Sequence, residues 1–154
     1  MMYEKIIETP IGPWVVQTLE RKITWLAPIE MPRVKQSSQN AAILQLAEQQ
    51  VLSYFAGERM EFELASAFEL TDIQADIFEA IMLIPYGETR TIQQVAAFIE
   101  KPEAVQAVKR ALLHNGLWLI VPTHRVVDEG QEVFPGARAI EQQLLRHERD
   151  YRIL

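Results

Sequence analysis

Apolar and polar residues alternate from Tyr3 to Glu8, the period of a half-buried β-strand. Thr9-Pro10-Ile11-Gly12-Pro13 then breaks the pattern as a turn. Trp14 to Leu19 and Ile23 to Ala27 are rich in β-branched and aromatic residues and read as two more strands around Glu20-Arg21-Lys22. Pro28 to Ser38, polar and carrying two prolines, reads as a loop. From about Gln39 to Phe55 the period changes to that of a helix, with Ile43, Leu44, Ala47, Val51 and Phe55 on one face and Gly57 as its stop. Met60 to Leu64 alternates again and predicts one further strand.

Beyond residue 70 the pattern is helical. Thr71 with Gln74, and Thr91 with Gln94, have the spacing of a capping box. The first opens a helix striped by Ile73, Ile77, Ala80 and Ile81, which Pro85-Tyr86-Gly87 breaks. The second opens a short helix with Val95, Ala96 and Ile99 on its apolar face. Lys101-Pro102 ends that helix, and Glu103 to His114 predicts the next, a helix-turn-helix arrangement. Asn115-Gly116 stops it. Leu117 to Val121 reads as a short buried strand, Asp128-Glu129-Gly130 as a turn, and Ala137 to Arg149 as a last helix burying Ile140, Leu144 and Leu145. The fold class expected is α+β. Residues 1–70 form a small antiparallel sheet with a helix, and residues 71–154 a mainly helical lobe with a helix-turn-helix.

Composition narrows the chemistry. None of the 154 residues is a cysteine, which excludes disulfides, thiolate metal sites and any thiolate nucleophile. The histidines, His114, His124 and His147, have no carboxylate pattern around them that suggests a metal, and no glycine-rich phosphate loop is present. No cofactor is expected. Net charge is −6, and the segments 1–71 and 72–154 carry −3 each. Nucleic-acid binders are usually basic overall or on one face, so charge alone argues against DNA. No apolar run approaches the ~20 residues of a membrane helix. With no basic and apolar blocks at the N-terminus, a cytoplasmic location without membrane contact is the expectation.

Two segments are distinctive. Ile84-Pro85-Tyr86-Gly87-Glu88-Thr89-Arg90-Thr91 precedes the helix-turn-helix, and Val121-Pro122-Thr123-His124-Arg125-Val126-Val127 follows it. Together with Leu144-Leu145 and Glu148, with Tyr54-Phe55-Ala56-Gly57, and with Thr9-Pro10-Ile11-Gly12, they resemble the O6-alkylguanine-DNA alkyltransferases over roughly residues 3–150. In that family the active-site motif is Pro-Cys-His-Arg-Val. Its cysteine takes the alkyl group from a guanine flipped out of the duplex.

The resemblance implies roles position by position. Thr123 stands where the acceptor cysteine would be. His124 and Glu148 match the pair that deprotonates it and, with no thiol beside them, read as a buried, hydrogen-bonded pair holding the last helix to the active-site strand; Asn115 matches an asparagine that holds the active-site turn. Gln106 falls at the arginine inserted into the duplex and Ile92 at a tyrosine that rotates the nucleotide. Phe134 falls at a tyrosine over the pocket, and Glu141 at a lysine, a reversal of charge. Thr91, Lys109, Arg110, His114 and Arg125 complete the candidates for DNA contact, although Arg125 is read first as pairing with a carboxylate inside the lobe. The alkyltransferase-like branch of the family also lacks the cysteine but usually keeps the arginine and tyrosine. Three functions stay open. The first is a non-catalytic protein that binds alkylated duplex DNA. The second is a diverged scaffold with a protein or small-molecule partner, for which an exposed apolar patch around Ile92 is expected. The third is a different enzyme using His124 and Glu148 on a small ligand.

Overall fold

The computed structural model describes residues 2–31, 37–38, 42–67, 70–130, 132 and 139–151. The chain divides into two compact units, residues Met1–Phe68 with Gly116–Ile120, and residues Glu69–Asn115 with Val121–Leu154.

In the first unit, β1 (Met2–Thr9), β2 (Gly12–Leu19) and β3 (Lys22–Pro28) form an antiparallel meander. Glu20 and Arg21 both take positive φ, at 50° and 68°, so the β2–β3 connection is a tight two-residue hairpin whose twist suits the flanking strands. The strands expected from alternation are therefore present. A short β4 (Ser37–Ser38), inside the segment expected to be loop, pairs parallel with Tyr3 and Glu4 of β1. Helix α1 (Ala42–Phe55) covers the sheet and buries Leu44, Ala47, Val51, Tyr54 and Phe55. Residues 39–41, where the helix was expected to start, lie outside the described residues. Trp14 anchors the core, packing edge-on against Phe55 and Trp118 with ring centroids 5.9 and 5.8 Å apart.

Two expected strands do not form. Met60 to Leu64 begins in a bend and joins no ladder. The Gln50 side-chain amide, buried on α1, bonds both the N–H and the carbonyl of Glu63 and takes the place of a neighbouring strand. Only Ser66 bridges to β3, at Ile23. Likewise, of Leu117 to Val121 only Leu117 bridges to Leu26 of β3. Leu119 then takes φ 73°, which ends the extended run.

The second unit is helical. Helix α2 (Asp72–Met82) starts on a complete capping box formed by Thr71 and Gln74. A two-residue β5 (Arg90–Thr91) leads into α3 (Ile92–Phe98), capped in the same way by Thr91 and Gln94. Each box satisfies two backbone donors, and losing such a cap costs about 1 kcal/mol. After Ile99, Glu100 takes φ 60° and the chain turns into α4 (Val105–Leu113), giving the expected helix-turn-helix. Helices α2, α3 and α4 pack on one another, with Ile77, Ile81, Val95, Val108 and Leu112 buried. A 3-10 turn at Thr123–Arg125 runs into β6 (Val126–Val127), which pairs parallel with β5. Helix α5 (Ala139–Asp150) closes the unit and buries Leu144 and Leu145 as expected, whereas Ile140 is half-buried. Among the described residues no helix is long and apolar enough to cross a membrane.

Candidate functional site

Pro122 shapes the site. At φ −79° and ψ 68° it forms an inverse γ-turn, in which Thr123 N donates to Val121 O at 2.8 Å. The 3-10 turn follows at once, with Arg125 N donating to Pro122 O. So tight a bend leaves its peptide groups short of regular partners, and Asn115 supplies one. Its Nδ2 donates to Val121 O at 3.0 Å and to Thr123 Oγ1 at 3.1 Å, tying both ends of the γ-turn to the end of α4. Thr123 is 2% exposed, so its hydroxyl is shut away from bulk water.

The next two side chains meet the fully buried Glu148 of α5. His124 Nε2 lies 2.6 Å from Glu148 Oε2. Arg125 grips the same carboxylate bidentately, Nε to Oε1 at 2.8 Å and Nη2 to Oε2 at 3.0 Å. Gly87 N donates to Oε1 at 3.1 Å, and Arg125 Nη1 donates to Ile84 O at 2.8 Å. The guanidinium carbon lies 5.7 Å from the Tyr86 ring centroid. Gly87 takes φ 78° in the turn Pro85–Glu88, a conformation that favours glycine and aims its N–H at the carboxylate. One carboxylate thus joins α5, the 3-10 turn and the Ile84–Gly87 turn.

The charges follow from this packing. Burial alone would raise the Glu148 carboxyl, but the His124 contact and the Arg125 guanidinium outweigh it and hold it well below the usual carboxylate range. Burial pushes the His124 imidazole below its ordinary value, against the pull of Glu148. With Glu148 ionised and His124 neutral, the proton in their short contact sits on Nε2, which donates. Burial and the nearby Glu148 charge raise the Tyr86 phenol.

The whole chain matches known proteins. Its residues 72–150 match the family model "6-O-methylguanine DNA methyltransferase, DNA binding domain", and residues 2–67 match the model for the "ribonuclease-like domain" of the same enzymes. The chain belongs to the methylated-DNA–protein-cysteine methyltransferase family. A Methanosarcina barkeri member is 38% identical over 132 residues, covering 82% of each chain. The crystal structure of Mycobacterium tuberculosis O6-methylguanine methyltransferase superposes with a TM-score of 0.89 at 30% identity, over 99% of this chain and 96% of that one. The structure of the M. tuberculosis protein in complex with DNA superposes with a TM-score of 0.86 at 30% identity, over 97% and 94%.

Against the expectations for a methyltransferase of this family, the structure brings Thr123, His124, Asn115 and Glu148 together. Two candidates for DNA contact prove to be interior. Arg125 is buried and hydrogen-bonded to Glu148. Ile92 is 2% exposed and forms the buried face of α3 with Val95 and Ala96, so among the described residues it does not centre an exposed apolar patch. Glu141 is buried as well, and its reversal of charge is not presented at the surface. On α4, Gln106, Arg110 and His114 are exposed and Lys109 is half-buried. His114 Nδ1 lies 2.8 Å from Arg110 O. A shallow cleft of about 450 Å³ over Ile92 is lined by Lys109 together with Asp128 and Glu129. Thr91 is half-buried and spends its hydroxyl on the helix cap. Phe134 lies outside the described residues. Sequence reasoning gave no site role to Ile84, Tyr86 or Gly87, although the distinctive segment that contains them was the available signal.

Proposed function

We propose that this chain binds duplex DNA carrying an O6-alkylated guanine and does not accept the alkyl group. The observation that carries the reading is Thr123, hydrogen-bonded by Asn115 and closed off between Pro122 and His124 at the acceptor position, in a chain with no cysteine. A free thiol ionises near pH 8.5 and its thiolate attacks carbon well, whereas a threonine hydroxyl needs a strong base beside it. His124 donates its Nε2 proton to the Arg125-bound Glu148, which leaves Nδ1 as an acceptor, but among the described residues no hydrogen bond joins it to the Thr123 hydroxyl, which accepts from Asn115 instead. The cluster of His124, Arg125 and Glu148 works here as a brace that holds the 3-10 turn to α5.

Duplex DNA as the partner is supported by the match to the family's DNA-binding domain and by the likeness to the M. tuberculosis protein in complex with DNA. Gln106, Lys109, Arg110 and His114 on α4 supply the contact surface. With Lys109 and Arg110 as its cations, binding should be modest, and log K should fall with log salt at a slope of about −2. A fluorescence-anisotropy titration tests this, using duplexes with and without one O6-methylguanine at two salt concentrations. Tighter binding to the lesion with that slope, and a shallower slope for Arg110→Ala, is the expected result. No binding at low salt would overturn the DNA role, and equal affinity for both duplexes would overturn the lesion preference.

A further inference from the structure

Among the described residues, the two most exposed large apolar side chains of the second unit line one cleft. Leu83, just past the end of α2, is 62% exposed, and Phe98, at the end of α3, is 63% exposed. Between them runs a cleft of about 480 Å³ whose floor is formed by Ala80, Ile84 and Val95. A second depression of about 290 Å³ shares Ala80 and Phe98 with it and continues toward Asp76, Glu79 and Glu100. All three carboxylates are exposed. Lys101 reaches Asp76 at only 3.9 Å, and among the described residues no ion pair neutralises Glu79 or Glu100. At the opposite end Arg90 already faces Glu88 at 3.2 Å. The groove is thus apolar over Ala80, Leu83, Ile84, Val95 and Phe98, carries Arg90 and Gln94 on its lining, and becomes acidic toward Asp76, Glu79 and Glu100. No residue of α4 lines it.

We propose that this groove between α2 and α3 docks an amphipathic helical segment of another protein. Its apolar anchors, one helical turn apart, lie between Leu83 and Phe98, and its lysine or arginine residues lie over Glu79 and Glu100. Paired apolar anchors in a groove with a charged rim are the chemistry of helix-in-groove recognition. The charge selects the occupant. Phosphate backbones are repelled by Glu79 and Glu100, and a second copy of this chain brings a net charge of −6 against the same acidic rim. The inference stands apart from the DNA reading, since docking uses α2 and α3 and DNA contact was assigned to α4.

The test is selection of a displayed library of random 16-residue peptides on the full-length protein, followed by affinity measurement of the winners. The expected winners carry leucine, isoleucine or phenylalanine at i and i+4 followed by lysine or arginine. Their affinity should fall roughly ten- to thirtyfold on Phe98→Ser or Leu83→Ser, as for loss of an interface anchor. Glu79→Lys should weaken them at low salt and remove their salt dependence. Both apolar positions are exposed, so the serine variants should keep the wild-type circular dichroism spectrum. Enrichment of acidic peptides, binding unchanged by the serine variants, or no enrichment at all would each overturn the proposal. A concentration-dependent dimer in sedimentation that Phe98→Ser abolishes would also overturn it, by assigning the groove to a second copy.

Discussion

Glu148 holds more of the site than any other side chain. It is fully buried and ionised, and Arg125, His124 and Gly87 all donate to it. Removing one partner of such a buried pair leaves the other charge stranded, which costs about 3–5 kcal/mol. Arg125→Met should therefore unfold at much lower urea than wild type, with an unchanged m-value; a loss under about 1 kcal/mol would contradict the brace. The pH dependence has a defined sign. His124 and Glu148 both have folded values below their unfolded ones, so the unfolded chain binds more protons as acid is added. Stability should be complete above about pH 7. It should decline as pH falls through about 6.5, the ordinary histidine value, and decline again below about 4.3, that of a free glutamate. Urea midpoints from pH 4 to 8 check this, and a stability maximum near pH 5.5 would contradict it. The pairing of His124 with Glu148 and a carboxylate partner for Arg125 were legible in the sequence; that Arg125 and Gly87 converge on the same carboxylate was not. Which carboxylate an arginine meets depends on how the chain packs.

The helices with capping boxes were legible because their signals are local. Thr71 with Gln74 and Thr91 with Gln94 each close a ring of hydrogen bonds within one turn. Extended segments were legible only where a partner strand exists. Met60 to Leu64 alternates strictly, more so than the strand Tyr3 to Glu8, yet its backbone is met by the Gln50 side chain, a contact that no periodicity encodes. The same limit explains Glu141 and Ile92, whose burial depends on which way α5 and α3 face. Gly116 carries a further long-range constraint. Its carbonyl accepts from Leu26 N at 2.7 Å, and a Cβ placed on it would stand 2.7 Å from the Trp25 ring. Gly116→Ala should accordingly cost about 1–3 kcal/mol through overpacking, read from urea unfolding followed by tryptophan fluorescence. A neutral effect would show that the Trp25 ring can move aside.

As a whole the molecule keeps its family's scaffold but contains no cysteine. Family models match residues 2–67 and 72–150, and the likeness to the M. tuberculosis enzyme spans 99% of the chain. The charge is less suited to DNA than the scaffold is, at −6 overall with Asp128 and Glu129 lining the same cleft as Lys109. Thr123→Cys is informative for that reason. It restores a thiol next to His124 but leaves Gln106 on α4 and the same weak field around it. Transfer by this variant should be detectable but slow, and a rate equal to that of an active family member would contradict the claim that DNA handling is weakened. The most direct measurement is the intact mass of the wild-type protein after prolonged incubation with excess O6-methylguanine duplex, with Thr123→Cys run in parallel. The account predicts an unchanged wild-type mass and a methyl adduct on the cysteine variant. A methyl group gained by the wild-type chain and mapped to Thr123 would contradict it.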